Sequence, residues 1–142
     1  AANECYLDGL ADVEDDSIIA ELFDQVAQPV SWHGRRVRAI RIGDSQDIEL
    51  LKAVSRGEFA TNGFRNRDIR HRLHPESRAA SKKEQRRLSA RTSRQIRLLR
   101  AHGLIKKVPK SHLYRLTDKG QKLCAALTAV RNASIKKLNV AA

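Results

Sequence analysis

The chain has 142 residues, of which 41% are hydrophobic and 31% charged, enough for one domain with a real core plus an appendage and too few for two large domains. Its net charge of +12 is unevenly spread: residues 1–34 hold eight acids and no lysine or arginine, so residues 35–142 carry all 28 basic side chains against the other eight acids, a net +20. Such a surface releases condensed counterions on meeting a phosphate backbone, which points to a polyanionic partner; chemistry on small acidic substrates needs no such excess.

The sequence divides accordingly into an acidic N-terminal segment, 1–34, and a basic domain, 35–142. In residues 12–28, Ile18, Ile19, Leu22, Phe23 and Val26 recur at helical spacing, with Asp15, Asp16 and Ser17 where capping and the helix dipole favour them. This predicts an acidic amphipathic helix ending before Pro29, which covers the core or a dimer partner or, as the alternative, competes with the polyanion for the basic face. Residues 30–43 hold the only tryptophan, Trp32, and an Arg-Val-rich stretch with imperfect strand alternation, read as the join between the two parts. A helix follows at 44–57, capped by Asp44, striped by Ile48, Leu51 and Val54, and stopped by Gly57. Phe59–Thr61 reads as extended and Asn62-Gly63 as a turn. A second helix starts near Asn66, with Phe64, Ile69 and Leu73 on its buried side, and Pro75 prevents it from continuing. Ser81 and Glu84 form a capping-box pattern opening a third helix, on which Leu88, Thr92, Ile96 and Leu99 share one face up to Gly103. Arg91, Arg94 and Arg97 point elsewhere. Strands at 104–108 and 112–116 flank a basic tip, Pro109-Lys110-Ser111, and Thr117 caps a last helix with Leu123, Leu127 and Val130 on its buried side.

The phrases LLRAHGLI (98–105), KKVPKSHLYRLT (106–117) and DKGQKL (118–123), the last with its Thr-x-x-Gly entry, resemble the winged-helix regulators of bacteria, of the MarR or ArsR type. The resemblance extends from Asp44 to Val130. GFRNRDIR (63–70) is also similar to a phrase in uncharacterised bacterial proteins that carry such a unit near their C-terminus, a likeness that implies no known activity. The long charged entry to the third helix, 76–87, departs from the family pattern. The fold implied is mainly α (α+β): a winged helix-turn-helix with a short β-hairpin wing, plus the acidic N-terminal helix. In this family the third helix lies in the major groove, where a guanidinium can form two hydrogen bonds to a guanine edge, worth about 1 to 3 kcal/mol of discrimination. The base-reading residues expected here are Arg91, Arg94 and Gln95, with Arg87 and Arg97 on phosphates. Asn66, Arg67 and Arg70 of the second helix would meet the backbone, and Lys107, Lys110, Ser111 and His112 of the wing the minor groove or sugar-phosphate chain.

Other chemistries lack their residues. Cys5 and Cys124 form no C-x-x-C pattern, which leaves no disulfide framework or zinc ribbon and fits a reducing, cytoplasmic setting. His71 and His74 are three apart on a helix, but no third ligand completes a tetrahedral site. Asp44, Asp47 and Glu49 read as the opening of a helix rather than a two-metal cluster. No Ser-His-Asp order, Gly-rich phosphate loop or activated cysteine stands out. No stretch approaches the roughly 18 apolar residues of a spanning helix, and the acidic start is unlike a signal peptide. The chain contains no methionine, so Ala1 is not an initiator and the sequence reads as a processed piece or the tail of something longer. The expectation is a non-enzymatic, sequence-specific binder of double-stranded DNA, without cofactor, metal, membrane or small-molecule ligand. It would sit in the cytoplasm on the nucleoid, regulate transcription or recognise a replicon or mobile element, and have a homodimer surface on its acidic and last helices. The alternatives are an RNA-binding or ribosome-associated basic protein, against which an aromatic content of 4% argues, and a protein-binding winged helix.

Overall fold

A computed structural model describes residues 17–141, with side chains described through residue 132. Helix α1 covers 17–26; Val26 is fully buried and Leu22 and Phe23 pack against the core, while Ile18 is half exposed. Asp15 and Asp16, expected to load its first turn, lie outside the described residues. The stretch read as a join is a hairpin, β1 (Val30–Trp32) paired antiparallel with β2 (Arg35–Val37), Trp32 opposite Arg35. Its two turn residues, His33 and Gly34, both have positive φ, 50° and 72°, the tight turn whose twist matches that of paired strands. The hairpin thus spans the point where the charge of the sequence changes sign. Val26 belongs to the same hydrophobic cluster as Leu51, Leu99 and Leu123, so the acidic helix and the basic part share one core.

Residues 38–41 are held to α2 (Ser45–Val54) by the buried carboxylate of Asp47, which accepts two hydrogen bonds of 2.8 Å from the Arg38 guanidinium and one of 2.8 Å from the Arg41 amide. His102, also buried, joins through Nε2 to the Arg38 carbonyl at 2.8 Å. Burial by itself would raise the Asp47 carboxyl, but the Arg38 bonds and the Arg41 amide outweigh it and hold it below the usual carboxylate value. A group depressed in this way contributes stability above its unfolded pKa, and the contribution is lost as pH falls through the folded value. Asp47→Asn is therefore expected to cost about 2 kcal/mol at neutral pH, since the carboxylate's charge is lost and one of its two acceptor oxygens is replaced by an NH2 donor facing the Arg38 guanidinium or the Arg41 amide. In urea titrations the gap to the parent should narrow below about pH 4; a gap independent of pH would show that the charge is not what holds this loop.

Asp44 caps α2 as expected, accepting the Gln46 amide at 2.8 Å. The following segment corrects the sequence reading twice. The helix already ends at Ser55, and Gly57 begins α3 (Gly57–Asn62) instead of stopping α2, so Phe59–Thr61 is helical, not extended. The helical path carries the half-buried Phe59 ring to 5.8 Å from the fully buried Phe64, a contact that outweighs the weak local preference for strand. Helix α4 (Asn66–Leu73) follows, its Asp68 carboxylate accepting the Arg65 amide at 2.8 Å, and a 3-10 turn at Pro75–Arg78 leads to α5 (Lys82–Ala101). Ser81 caps α5 through the Glu84 amide at 3.2 Å, and Gly103 ends it at φ 72°, a conformation cheap only without a β-carbon.

Strands β3 (Ile105–Lys107) and β4 (Tyr114–Leu116) pair antiparallel, and Phe64 bridges to Tyr114 on the other side of β4. Helix α6 (Asp118–Ala141) opens on Thr117, whose hydroxyl accepts the Gly120 amide at 3.1 Å and donates to the Gly103 carbonyl at 2.6 Å. Leu123 and Leu127 are buried, but Val130, expected beside them, is 47% exposed, because α6 has run past the core by that turn. Cys124 is buried against α2, and burial pushes its thiol up to about 11, so it stays protonated. The described chain is mainly helical with two short antiparallel hairpins, an α+β fold. None of its helices is long and apolar enough to cross a membrane.

Candidate functional site

Helix α5 carries the expected stripe inward: Leu88, Thr92, Ile96 and Leu99 are all buried, and the Thr92 hydroxyl is satisfied by the Leu88 carbonyl at 2.8 Å. Its other faces open onto two grooves. The larger, about 780 Å³, lies between α5, the start of α4 and both hairpins, and takes in Asn66, Arg67, Arg70, Arg97 and His112. The smaller, about 500 Å³, lies between α5, β2 and α2, and takes in Arg91, Arg94, Gln95 and Arg97. The expected site residues are thus sorted onto two sides of one helix, with Arg97 on the ridge between. Arg87, Lys107 and Lys110 line neither groove. Arg87 is exposed and paired with Glu84 at 2.7 Å; Lys107 and Lys110 are exposed on the second hairpin, where Lys110 sits at the tip with φ 60°.

Three of these residues do other work than the sequence assigned. The Asn66 side-chain amide donates to the Ser89 carbonyl at 3.1 Å and the Ser93 hydroxyl at 2.9 Å, so it staples α4 to α5 instead of facing a phosphate. The Ser111 hydroxyl donates to the Val108 carbonyl at 2.8 Å and accepts the Leu113 amide at 3.2 Å, which shapes the hairpin tip. Gln95 is half buried with its side-chain oxygen enclosed, and is a poorer base reader than the exposed Arg94.

The large groove also holds residues that sequence reasoning passed over: Trp32 and Arg35 of the first hairpin, Arg100 of α5 and Tyr114 of β4. Arg100 had a signal, since Ser93, Arg97 and Arg100 recur at i, i+4 and i+7 on one face. The Arg100 guanidinium lies 4.9 Å from the Trp32 ring centre and 5.9 Å from that of Tyr114, bridging the two hairpins. The first hairpin flanks Arg97 on both sides and covers the C-terminal half of α5, where Leu98 is buried. Lys83, Arg86, Arg87, Ser93 and Arg94 are exposed along residues 83–94 of α5.

The electrostatics of the groove are one-sided. No carboxylate lines it, and among the described residues Arg35, Arg67, Arg70, Arg97 and Arg100 make no ion pair. Six of the eight acids of the basic part are engaged elsewhere: Asp47 with Arg38, Glu49 with Lys52, Glu58 with Arg56, Glu84 with Arg87, and Asp44 and Asp68 in helix caps. The field reaches His71, whose imidazole is held below its usual value first by desolvation and then by Arg78, Arg70 and Arg67. Unpaired guanidinium groups that converge without a counter-charge repel one another, and an anion in the groove relieves that cost. Among the described residues no three His, Cys, Asp or Glu side chains gather as metal ligands.

Compared with protein-family models, with curated proteins and with solved structures, the chain gives no match.

Proposed function

We propose that the chain is a winged-helix module that binds double-stranded DNA in a sequence-dependent manner, in transcriptional control or in recognition of a replicon or mobile element. One observation carries the reading: α5, the start of α4 and the second hairpin converge on an arginine-lined groove that no carboxylate enters. The element order supports it, with a helical pair α4–α5 followed by an antiparallel hairpin whose inner strand also bridges to Phe64. In this reading the exposed face of α5 between Lys83 and Arg94 enters the major groove and Arg94 reads a base edge. Arg67 and Arg97 take phosphates, and Lys110 brings the hairpin tip to the adjacent backbone. Holding a lysine in the left-handed region costs roughly 1 to 2 kcal/mol, a strain that suits a residue presented for contact.

The test is affinity for duplex DNA and for single-stranded RNA across a salt series, with sites selected from random duplexes. Tight, steeply salt-dependent duplex binding is expected; weak and equal binding to both at moderate salt rejects the reading. Arg94→Ala should weaken the selected site roughly tenfold and flatten preference among sequences, whereas Lys110→Ala should weaken all sequences evenly and lower the salt slope by about one. A palindromic selected site would identify a dimer and its spacing. The second reading, single-stranded RNA, is favoured by one finding: although aromatics are 4% of the chain, Trp32 and Tyr114 both line the groove. Tighter binding in the RNA arm would select it.

A further inference from the structure

A groove that only followed a duplex backbone would need cations and no aromatic wall, because the base faces of a duplex are stacked away. This groove has such a wall. Trp32 comes from the first hairpin and Tyr114 from the second, and the Arg100 guanidinium lies against both rings, at 4.9 and 5.9 Å, so that planar groups from three elements meet at one end of the cavity. Nucleobases stack on aromatic rings and on guanidinium planes alike, and such stacking tolerates any base because each presents a π-face. Arg67 and Arg97 stand exposed along the same cavity, with Arg35 next to the turn of the first hairpin, and none of them makes an ion pair among the described residues. A volume of about 780 Å³ accommodates more than a bare phosphate.

We infer that the end of the groove bounded by the first hairpin is a pocket for one unpaired nucleotide, its base stacked on the Trp32–Arg100–Tyr114 wall and its phosphates held by Arg35, Arg67 and Arg97. The chemistry recognised is a phosphorylated nucleoside with a free base face. It comes either from a strand, as an overhang or extruded base next to the bound duplex, or from a free nucleotide. In the strand-borne case the inference rests on the DNA reading and deepens it: the module distinguishes an end or junction from continuous duplex.

Trp32 is the only tryptophan, so its fluorescence reports on the pocket directly. The full chain is titrated with ATP, with inorganic tripolyphosphate, with a blunt duplex, and with the same duplex bearing a short single-stranded overhang, while labelled duplex follows binding by anisotropy. The overhang duplex is expected to quench Trp32 and to bind about tenfold tighter than the blunt one, the gain of one stacked base. Quenching by ATP but not by tripolyphosphate, without an overhang preference, assigns the pocket to free nucleotides; an overhang preference without an ATP response assigns it to strands. Equal quenching by ATP and tripolyphosphate makes it an anion site and overturns the inference, as does a Trp32 signal that no base-bearing probe moves. Blunt-duplex binding with a silent Trp32 would sink the pocket and leave the DNA reading intact; quenching by ATP without duplex binding would do the reverse. Trp32→Leu should bring the affinity for the overhang duplex down to that for the blunt one, and Trp32→Phe, which keeps a ring on β1, should retain most of the preference. Loss of the preference in both variants alike, with unaltered thermal melting, would count against stacking.

Discussion

The double variant Arg67→Ala, Arg97→Ala is expected to bind duplex DNA about 60-fold more weakly than the parent at roughly 0.1 M salt, with a salt slope shallower by about two. Each phosphate neutralised on B-DNA contributes about 0.9 to the slope of log affinity against log salt, so losing one contact at this ionic strength costs about eightfold. The loss of about 60-fold takes Arg67, which projects from α4, and Arg97, on the ridge of α5, as contacts to two separate phosphates. Neither side chain makes an ion pair among the described residues and both are exposed, so the fold should lose nothing. Thermal melting should stay level or rise slightly as like-charge repulsion falls. A slope unchanged in the double variant would show that this groove does not face the DNA.

The largest effect on stability is expected from Gly120→Ala. Gly120 lies in the first turn of α6, where a β-carbon would overlap the Leu104 carbonyl and press on the Leu116 side chain at 2.8 Å. The carbonyl cannot yield, because it is backbone and already accepts the Thr117 amide at 2.9 Å. The added methyl must push α6 away from β3 and β4 and disturb the Thr117 cap. Overpacking against side chains costs about 1 to 3 kcal/mol, and against fixed backbone the cost should reach at least the upper figure, lowering the melting temperature by on the order of 10 °C. Gly57→Ala is the control: nothing lies within 4 Å of its added carbon, and in the helical first turn of α3 alanine should be neutral or stabilising by up to about 1 kcal/mol. Circular dichroism melts read both. A Gly120→Ala protein melting with the parent would mean that α6 does not approach Leu104 as described.

Local signals carried most of the helices. Asp44 and Ser81 cap because a side-chain oxygen reaches an amide two or three residues on, and Gly103 stops α5 because its own φ is positive; none of this needs a distant partner. The stripe Leu88, Thr92, Ile96, Leu99 was legible because helical period alone places it on one face. The Gly57 reading failed because a glycine tolerates many backbone states, and the choice between stopping α2 and starting α3 is made by Phe59 meeting Phe64.

The candidate site divides in the same way. By itself the sequence determined the excess of basic side chains after residue 34, the arginine-bearing helix and the basic hairpin tip, since composition, period and turn chemistry act over a few residues. Only the tertiary structure decided which polar side chains are spent and which are free: Arg38 is taken by Asp47 and Asn66 by α5, whereas Arg67 and Arg97 are left facing one cavity. It also decided that Trp32, Arg100 and Tyr114 meet. The physical reason is that ion pairing and ring contact depend on distance in space, and side chains so far apart along the chain become neighbours only after the core has drawn two hairpins and a helix together.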